Sequence, residues 1–183
     1  MALYKNRYRI ESTRLSNWDY AKPAWYFITI CTKDHRTYFG EIGDGPVRLS
    51  AIGRIVVDEW QKTADIRPYV ELDEFVVMPN HIHGIVIIKP PDDTPRVETS
   101  RRGVSTTPRL QKASLGSIIG QFKIACTRRI WAAGFRDFAR QTRFHDHIIR
   151  GERALTAIRE YISSNPAKWA LDKENPANPR QPL

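Results

Sequence analysis

His81 and His83 stand two residues apart inside the run Phe75-Val76-Val77-Met78-Pro79-Asn80-His81-Ile82-His83-Gly84-Ile85-Val86-Ile87-Ile88. The flanks are rich in Val and Ile, so the run reads as a buried strand. Strand side chains alternate between faces, and a spacing of two puts both imidazoles on one face, where they suit a divalent cation. A His-x-His pair on a strand is by itself more often packing than metal binding. Far downstream, Tyr161 and Asn165 are four residues apart and share a helix face beside the stripe Leu155, Ile158 and Ile162. Helix spacing alone is met more simply by a half-buried core tyrosine and a C-terminal cap before Pro166. Together the two pairs answer each other's needs. A tyrosine hydroxyl, with a pKa of about 10, is a poor nucleophile at neutral pH. A phosphodiester is anionic and repels it, and a divalent cation polarises the phosphoryl oxygen. Two imidazoles and one amide oxygen make a three-ligand site with open positions.

The elements that must carry these residues follow from periodicity. Trp25 to Thr32 is dense in aromatic and β-branched residues and reads as a strand. A turn-rich segment with Gly40, Gly43, Gly45 and Pro46 leads to a hairpin arm, Val47-Arg48-Leu49. Ser50 is a good N-cap for a helix with Ile52, Ile55, Val56 and Trp60 at helical spacing, ended by Pro68. Val70 to Val77 reads as a strand joined by Met78-Pro79-Asn80 to the histidine strand. Ser114 caps a second helix with the stripe Leu115, Ile118, Ile119, Phe122, Cys126 and Ile130, closed by Gly134. Phe144 to Ile149 reads as a strand, and a third helix runs from Glu152 to a stop at Pro166. Short strand-to-strand turns and too few helices to alternate with every strand predict an α+β sandwich, mainly antiparallel, with helices packed on it.

Length and charge bound the rest. A chain of 183 residues is about one domain and buries a core without disulfides or structural metal. Lys and Arg number 29 against 20 Asp and Glu, a net charge of +9, the electrostatic footprint of a nucleic-acid binder. The first twenty residues interleave Lys5, Arg7, Arg9 and Arg14 with aromatics, a pattern that holds phosphates and stacks bases, or equally a frayed arm. Lys123, Arg128 and Arg129 lie off the inner stripe of the second helix and extend the set of candidate DNA contacts. Residues 89–112 are rich in Pro, Thr and Ser and read as a long flexible loop. Cys31 and Cys126 lie far apart in apolar segments and read as reduced core residues. No apolar run is long enough to span a bilayer and no signal peptide opens the chain, so a cytoplasmic protein is expected.

Several stretches carry a family resemblance: Asp19-Tyr20 with Tyr26 to Thr32, Glu71-Leu72-Asp73-Glu74-Phe75 with Met78-Pro79-Asn80-His81-Ile82-His83-Gly84, Leu115 to Lys123, and His147-Ile148-Ile149-Arg150 with Tyr161-Ile162-Ser163-Ser164-Asn165-Pro166. On these the chain resembles the REP-associated tyrosine transposases, part of the HUH single-tyrosine transposase superfamily of bacterial insertion sequences. The resemblance implies a ferredoxin-like α+β core with the histidines on a central strand. It implies that His81 and His83 bind the metal, Mg²⁺ or Mn²⁺, that Asn165 is the helix-borne third ligand, and that Tyr161 is the nucleophile. The implied reaction is cleavage and rejoining of single-stranded DNA beside a hairpin through a 5′-phosphotyrosine, by a monomer or homodimer. Arg140-Gln141 departs from the Trp-Gln that relatives tend to have there.

Three other readings use parts of the same pattern. A non-enzymatic hairpin-binding protein would keep the fold and lose a site residue, whereas all four are present. A rolling-circle initiator or relaxase-type nickase uses the same histidine pair on longer chains. A metal-dependent hydrolase would use water and leave Tyr161 structural. His145 and His147 also share a strand face; packing, backbone bonds or a phosphate contact account for them more simply than a second metal. His35 reads as a loop residue.

Overall fold

The computed structural model describes residues 14–15, 17–43, 47–90 and 113–178. Four strands form one antiparallel sheet: β1 (Ala24–Cys31), β4 (Val70–Val77), β5 (His81–Ile88) and β6 (His145–Ile149), in the order β4-β5-β1-β6. Two short strands, β2 (Gly40–Glu41) and β3 (Arg48–Leu49), pair as a separate hairpin. The helices are α1 (Ala51–Asp65), α2 (Leu115–Ala132) and α3 (Glu152–Ser164), followed by a 3₁₀ turn, Pro166–Leu171. Strand order and antiparallel pairing are those of a ferredoxin-like sandwich, the fold that the family resemblance implies.

The helix starts follow local chemistry. Ser50 accepts from the Gly53 N–H at 3.0 Å, and Ser114 from the Ser117 N–H at 3.2 Å, so each serine satisfies a donor that the helix leaves open. Gly134, at φ +97°, follows the end of α2 in the left-handed conformation that glycine adopts without cost.

The period of two on each strand divides the molecule into layers. Tyr26, Ile28 and Ile30 of β1, with Ile82, Val86 and Ile88 of β5, face α1 and α2 and form the main core. The opposite residues, Trp25 and Phe27 with Ile85 and Ile87, pack under Leu155, Ile158 and Ile162 of α3. His81 and His83 have the parity of this second face. α3 is tied down by Arg159, whose guanidinium pairs with Asp73 of β4. Asp73 sits where the β4–β5 register shifts between Leu72 and Phe75, an irregularity that gives its carboxylate to a neighbouring element. Gly84 is needed for close packing: a Cβ there would lie 2.5 Å from Cζ2 of Trp60, whose ring stacks on Phe75 at 4.7 Å.

Residues 1–13 and 91–112, which carry Lys5, Arg7, Arg9 and nearly all of the expected long loop, lie outside the described residues. No helix among the described residues is long and apolar enough to cross a membrane.

Candidate functional site

β5 begins at His81, and the strand aims both imidazoles at α3. His81 and His83 are buried, with their Nε2 atoms 3.1 Å apart. Each ring is held by its other nitrogen. Asn80 Nδ2 donates to the carbonyls of His35 (3.0 Å) and Glu174 (2.6 Å), which commits both amide protons. Asn80 Oδ1 must then accept from Nδ1–H of His81, 2.8 Å away, and this tautomer puts a lone pair, not a proton, on His81 Nε2. Thr29 Oγ1 lies 2.8 Å from Nδ1 of His83 and fixes that ring in turn. Bonds of this kind orient histidines in sites that bind metal. Burial pushes the pKa of each imidazole down to about 3, helped by the positive charge of Lys173. Both rings are therefore neutral at pH 7, the form that binds metal.

Tyr161 stands over the pair. Its hydroxyl is 3.3 Å from Nε2 of His83, and its ring meets Phe27 edge-on at 6.0 Å. The side chain is 42% exposed, so the phenol is both held and reachable. Its pKa is raised, first by burial; the Asn165 amide lowers it, and Asp172 and Glu174 raise it. The protein by itself thus keeps the phenol protonated. Asn165 follows the last turn of α3 and is buried, and its Oδ1 has no hydrogen-bond partner among the described residues. An orphaned buried carbonyl oxygen is costly unless something occupies it. An orphaned amide oxygen and an unprotonated imidazole nitrogen are donor types that a divalent cation takes.

Sequence reasoning missed Asp172. Its carboxylate Oδ2 lies 3.8 Å from Nε2 of His81, and the donor atoms of His81, His83 and Asp172 all fall within 4.8 Å of one another. With His81 neutral this approach is not an ion pair but a shared pocket of donors. A second group, Cys31, His35 and Glu174, also brings its donor atoms within 4.8 Å. His35, expected as a loop residue, approaches Glu174 Oε2 to 2.9 Å. No spacing rule joins Asp172 to His81, ninety-one residues earlier; the only local signal was Asn-Pro-x-x-Trp preceding an acidic residue, and it carries no direction.

The structure places the three candidate DNA contacts of α2 in different surroundings. Lys123 is buried and donates to the carbonyls of Gln141 (2.8 Å), Thr142 (3.0 Å) and Arg143 (3.1 Å), so it is a core strut. Helix spacing placed it off the stripe because the segment it supports packs from outside the helix pair. Arg129 pairs with Glu59 at 2.6 Å and Asp58 at 3.2 Å, clamping α2 to α1. Arg128 is exposed. All three sit on a helix packed against the sheet face opposite the histidines. Arg14 pairs with Asp146 at 3.3 Å and stacks over Tyr20 and Phe144. His145 and His147 are exposed on β6, opposite Thr29 and Phe27, on the histidine face. No third donor joins them among the described residues.

No family model matches the sequence. Over 165 residues, 88% of this chain and 91% of the relative, the sequence is 34% identical to an uncharacterised protein of Haemophilus influenzae. The structure is similar to that of a REP-associated tyrosine transposase solved bound to a REP hairpin. That similarity has a TM-score of 0.60 and 22% identity, and covers 90% of this chain and 77% of the other.

Proposed function

The chain belongs to the family of that Haemophilus influenzae protein, and from this premise and its fold we propose that it is a single-tyrosine HUH transposase, an endonuclease and strand transferase for single-stranded DNA. The observation that carries the reading is the Tyr161 hydroxyl 3.3 Å from Nε2 of His83, itself 3.1 Å from Nε2 of His81. His81, His83 and Asn165 would hold the cation, Mg²⁺ or Mn²⁺, which supplies charge that offsets the anionic phosphodiester and polarises its phosphoryl oxygen.

Tyr161 attacks the phosphorus through its phenolic oxygen. The P–O3′ bond breaks, the 5′ phosphate stays on Tyr161, the phenol gives up its proton to solvent, and the leaving 3′ oxygen takes one from solvent to become a hydroxyl. In the rejoining step a 3′-hydroxyl attacks the phosphotyrosine and the bond to Tyr161 breaks. The substrate is DNA beside a hairpin, because in-line attack needs an exposed backbone that a closed duplex withholds. Support for a DNA partner comes from the net charge of +9 and from the hairpin bound by the similar transposase.

The test uses hairpin-flanked oligonucleotides labelled separately at each end and run on denaturing gels with Mg²⁺, Mn²⁺ or chelator. Label retained on protein through a 5′ phosphate, with a free 3′-hydroxyl on the other product, is the expected result. Retention through the 3′ phosphate, equal cutting of perfect duplex, or full activity in chelator would overturn the mechanism.

A further inference from the structure

We infer that Asp172 is a further ligand of the cation held by His81 and His83, and that docking of the segment carrying it, through Glu174 and Asn80, sets the affinity of the site. The inference rests on reading the two histidines as metal ligands.

The geometry comes first. The Asp172 side chain is 6% exposed, with Oδ2 facing Nε2 of His81 at 3.8 Å. Its other oxygen accepts from the Glu174 N–H at 2.7 Å, which fixes the rotation of the carboxylate. A buried carboxylate is normally matched by a cationic side chain. Here two imidazoles face it, and the donor atoms of all three residues lie within 4.8 Å of one another. Two nitrogen donors and a carboxylate oxygen match a divalent cation such as Mn²⁺ or Mg²⁺, and the carboxylate supplies negative charge to it. It also joins them as an oxygen donor, the kind that Mg²⁺ prefers.

The second observation is how the segment is fastened. Asp172 lies beyond α3 and its 3₁₀ turn, so no regular element holds it. The backbone carbonyl of Glu174 accepts from Asn80 Nδ2, the same amide whose oxygen orients His81. The Glu174 carboxylate reaches Nδ1 of His35 at 2.9 Å and the Cys31 thiol at 4.0 Å. His35 and its neighbour Asp34 adopt φ values of +53° and +54°, which non-glycine residues keep only where surrounding contacts fix them. Asn178 Nδ2 donates to the Asp172 carbonyl at 2.8 Å. One asparagine therefore couples the orientation of the first histidine to the docking of the carboxylate.

Mn²⁺ binding to the full chain tests this without reference to cleavage, by titration calorimetry or by loss of the free-ion electron paramagnetic resonance signal. Asp172→Asn keeps the shape and removes the charge, and should weaken Mn²⁺ binding by about 10–100-fold; Glu174→Gln, which alters only the carboxylate that reaches His35 and Cys31, should weaken it at the lower end of that range. Asp172→Glu keeps a carboxylate and should bind more tightly than Asp172→Asn. His81→Ala is the control for the underlying reading and should lose binding altogether. If His81→Ala binds normally, the metal site itself is misassigned. If His81→Ala fails while Asp172→Asn binds as wild type, the histidine site stands and this inference is wrong. Melting in chelator checks that each variant folds; should Asp172→Asn fail to fold, equal binding by Asp172→Glu and Asp172→Ala overturns the inference in its place.

Discussion

The phenolic oxygen of Tyr161 lies 3.3 Å from Nε2 of His83, and the two rings come from α3 and β5 of the same chain, seventy-eight residues apart. This contact brings the proposed nucleophile and the proposed metal-binding pair into one site.

Tyr161→Phe removes one oxygen and keeps the ring contact with Phe27. Fold and DNA affinity should persist, while cleavage falls by at least about three orders of magnitude, the scale on which loss of a nucleophile acts. A covalent-adduct gel checks it, and a wild-type adduct yield in the variant would remove Tyr161 from its role.

His81→Ala and His83→Ala should each abolish metal-dependent cleavage, because the remaining donors hold the cation poorly. His145→Ala and His147→Ala should leave metal binding intact, since no third donor joins that exposed pair among the described residues. Metal titration of the four variants separates the pairs; the opposite pattern would move the site to β6.

Acid should destabilise the metal-free protein through the buried pair. Both imidazoles have folded pKa values lowered from 6.5 to about 3 by burial. Between these values the unfolded chain takes up protons that the folded chain refuses. Their contribution is therefore fully present above pH 6.5 and is lost as pH falls toward 3. Melting in chelator across this range reads the slope, and an equal slope in the double variant His81→Ala, His83→Ala would assign it to other groups.

Binding of single-stranded DNA should weaken steeply with salt, with a slope of about −0.7 per phosphate neutralised. Lys123→Met should leave that slope unchanged and destabilise the fold by about 2–4 kcal/mol, because three carbonyls lose their donor. A flatter slope in Lys123→Met would return this residue to the DNA surface.

Gly84→Ala should cost about 1–3 kcal/mol, since the added methyl meets the Trp60 ring on the core side of β5. Denaturant unfolding measures it. A companion change, Trp60→Leu, should recover part of the loss, and failure to do so would locate the strain elsewhere.

The α+β architecture was legible in the sequence because it depends on short-range signals. The Val- and Ile-rich run around His81 and His83, period 3.6 in the three helices, and serine caps at Ser50 and Ser114 are each settled within a few residues. Parity alone put His81 and His83 on one face, and helix spacing put Tyr161 beside Asn165. Tertiary structure decided the rest. Which face α3 covers, and so whether Tyr161 meets the histidines, follows from strand order and from Arg159 on Asp73. Lys123 looked like a surface cation because helix spacing records only the helix's own faces, not the three carbonyls brought to it by residues 141–143. Asp172 was invisible because it lies on no periodic element. Its place beside His81 depends on bonds through Asn80 and Glu174 that form only when distant segments pack, and no local pattern encodes a meeting of that kind.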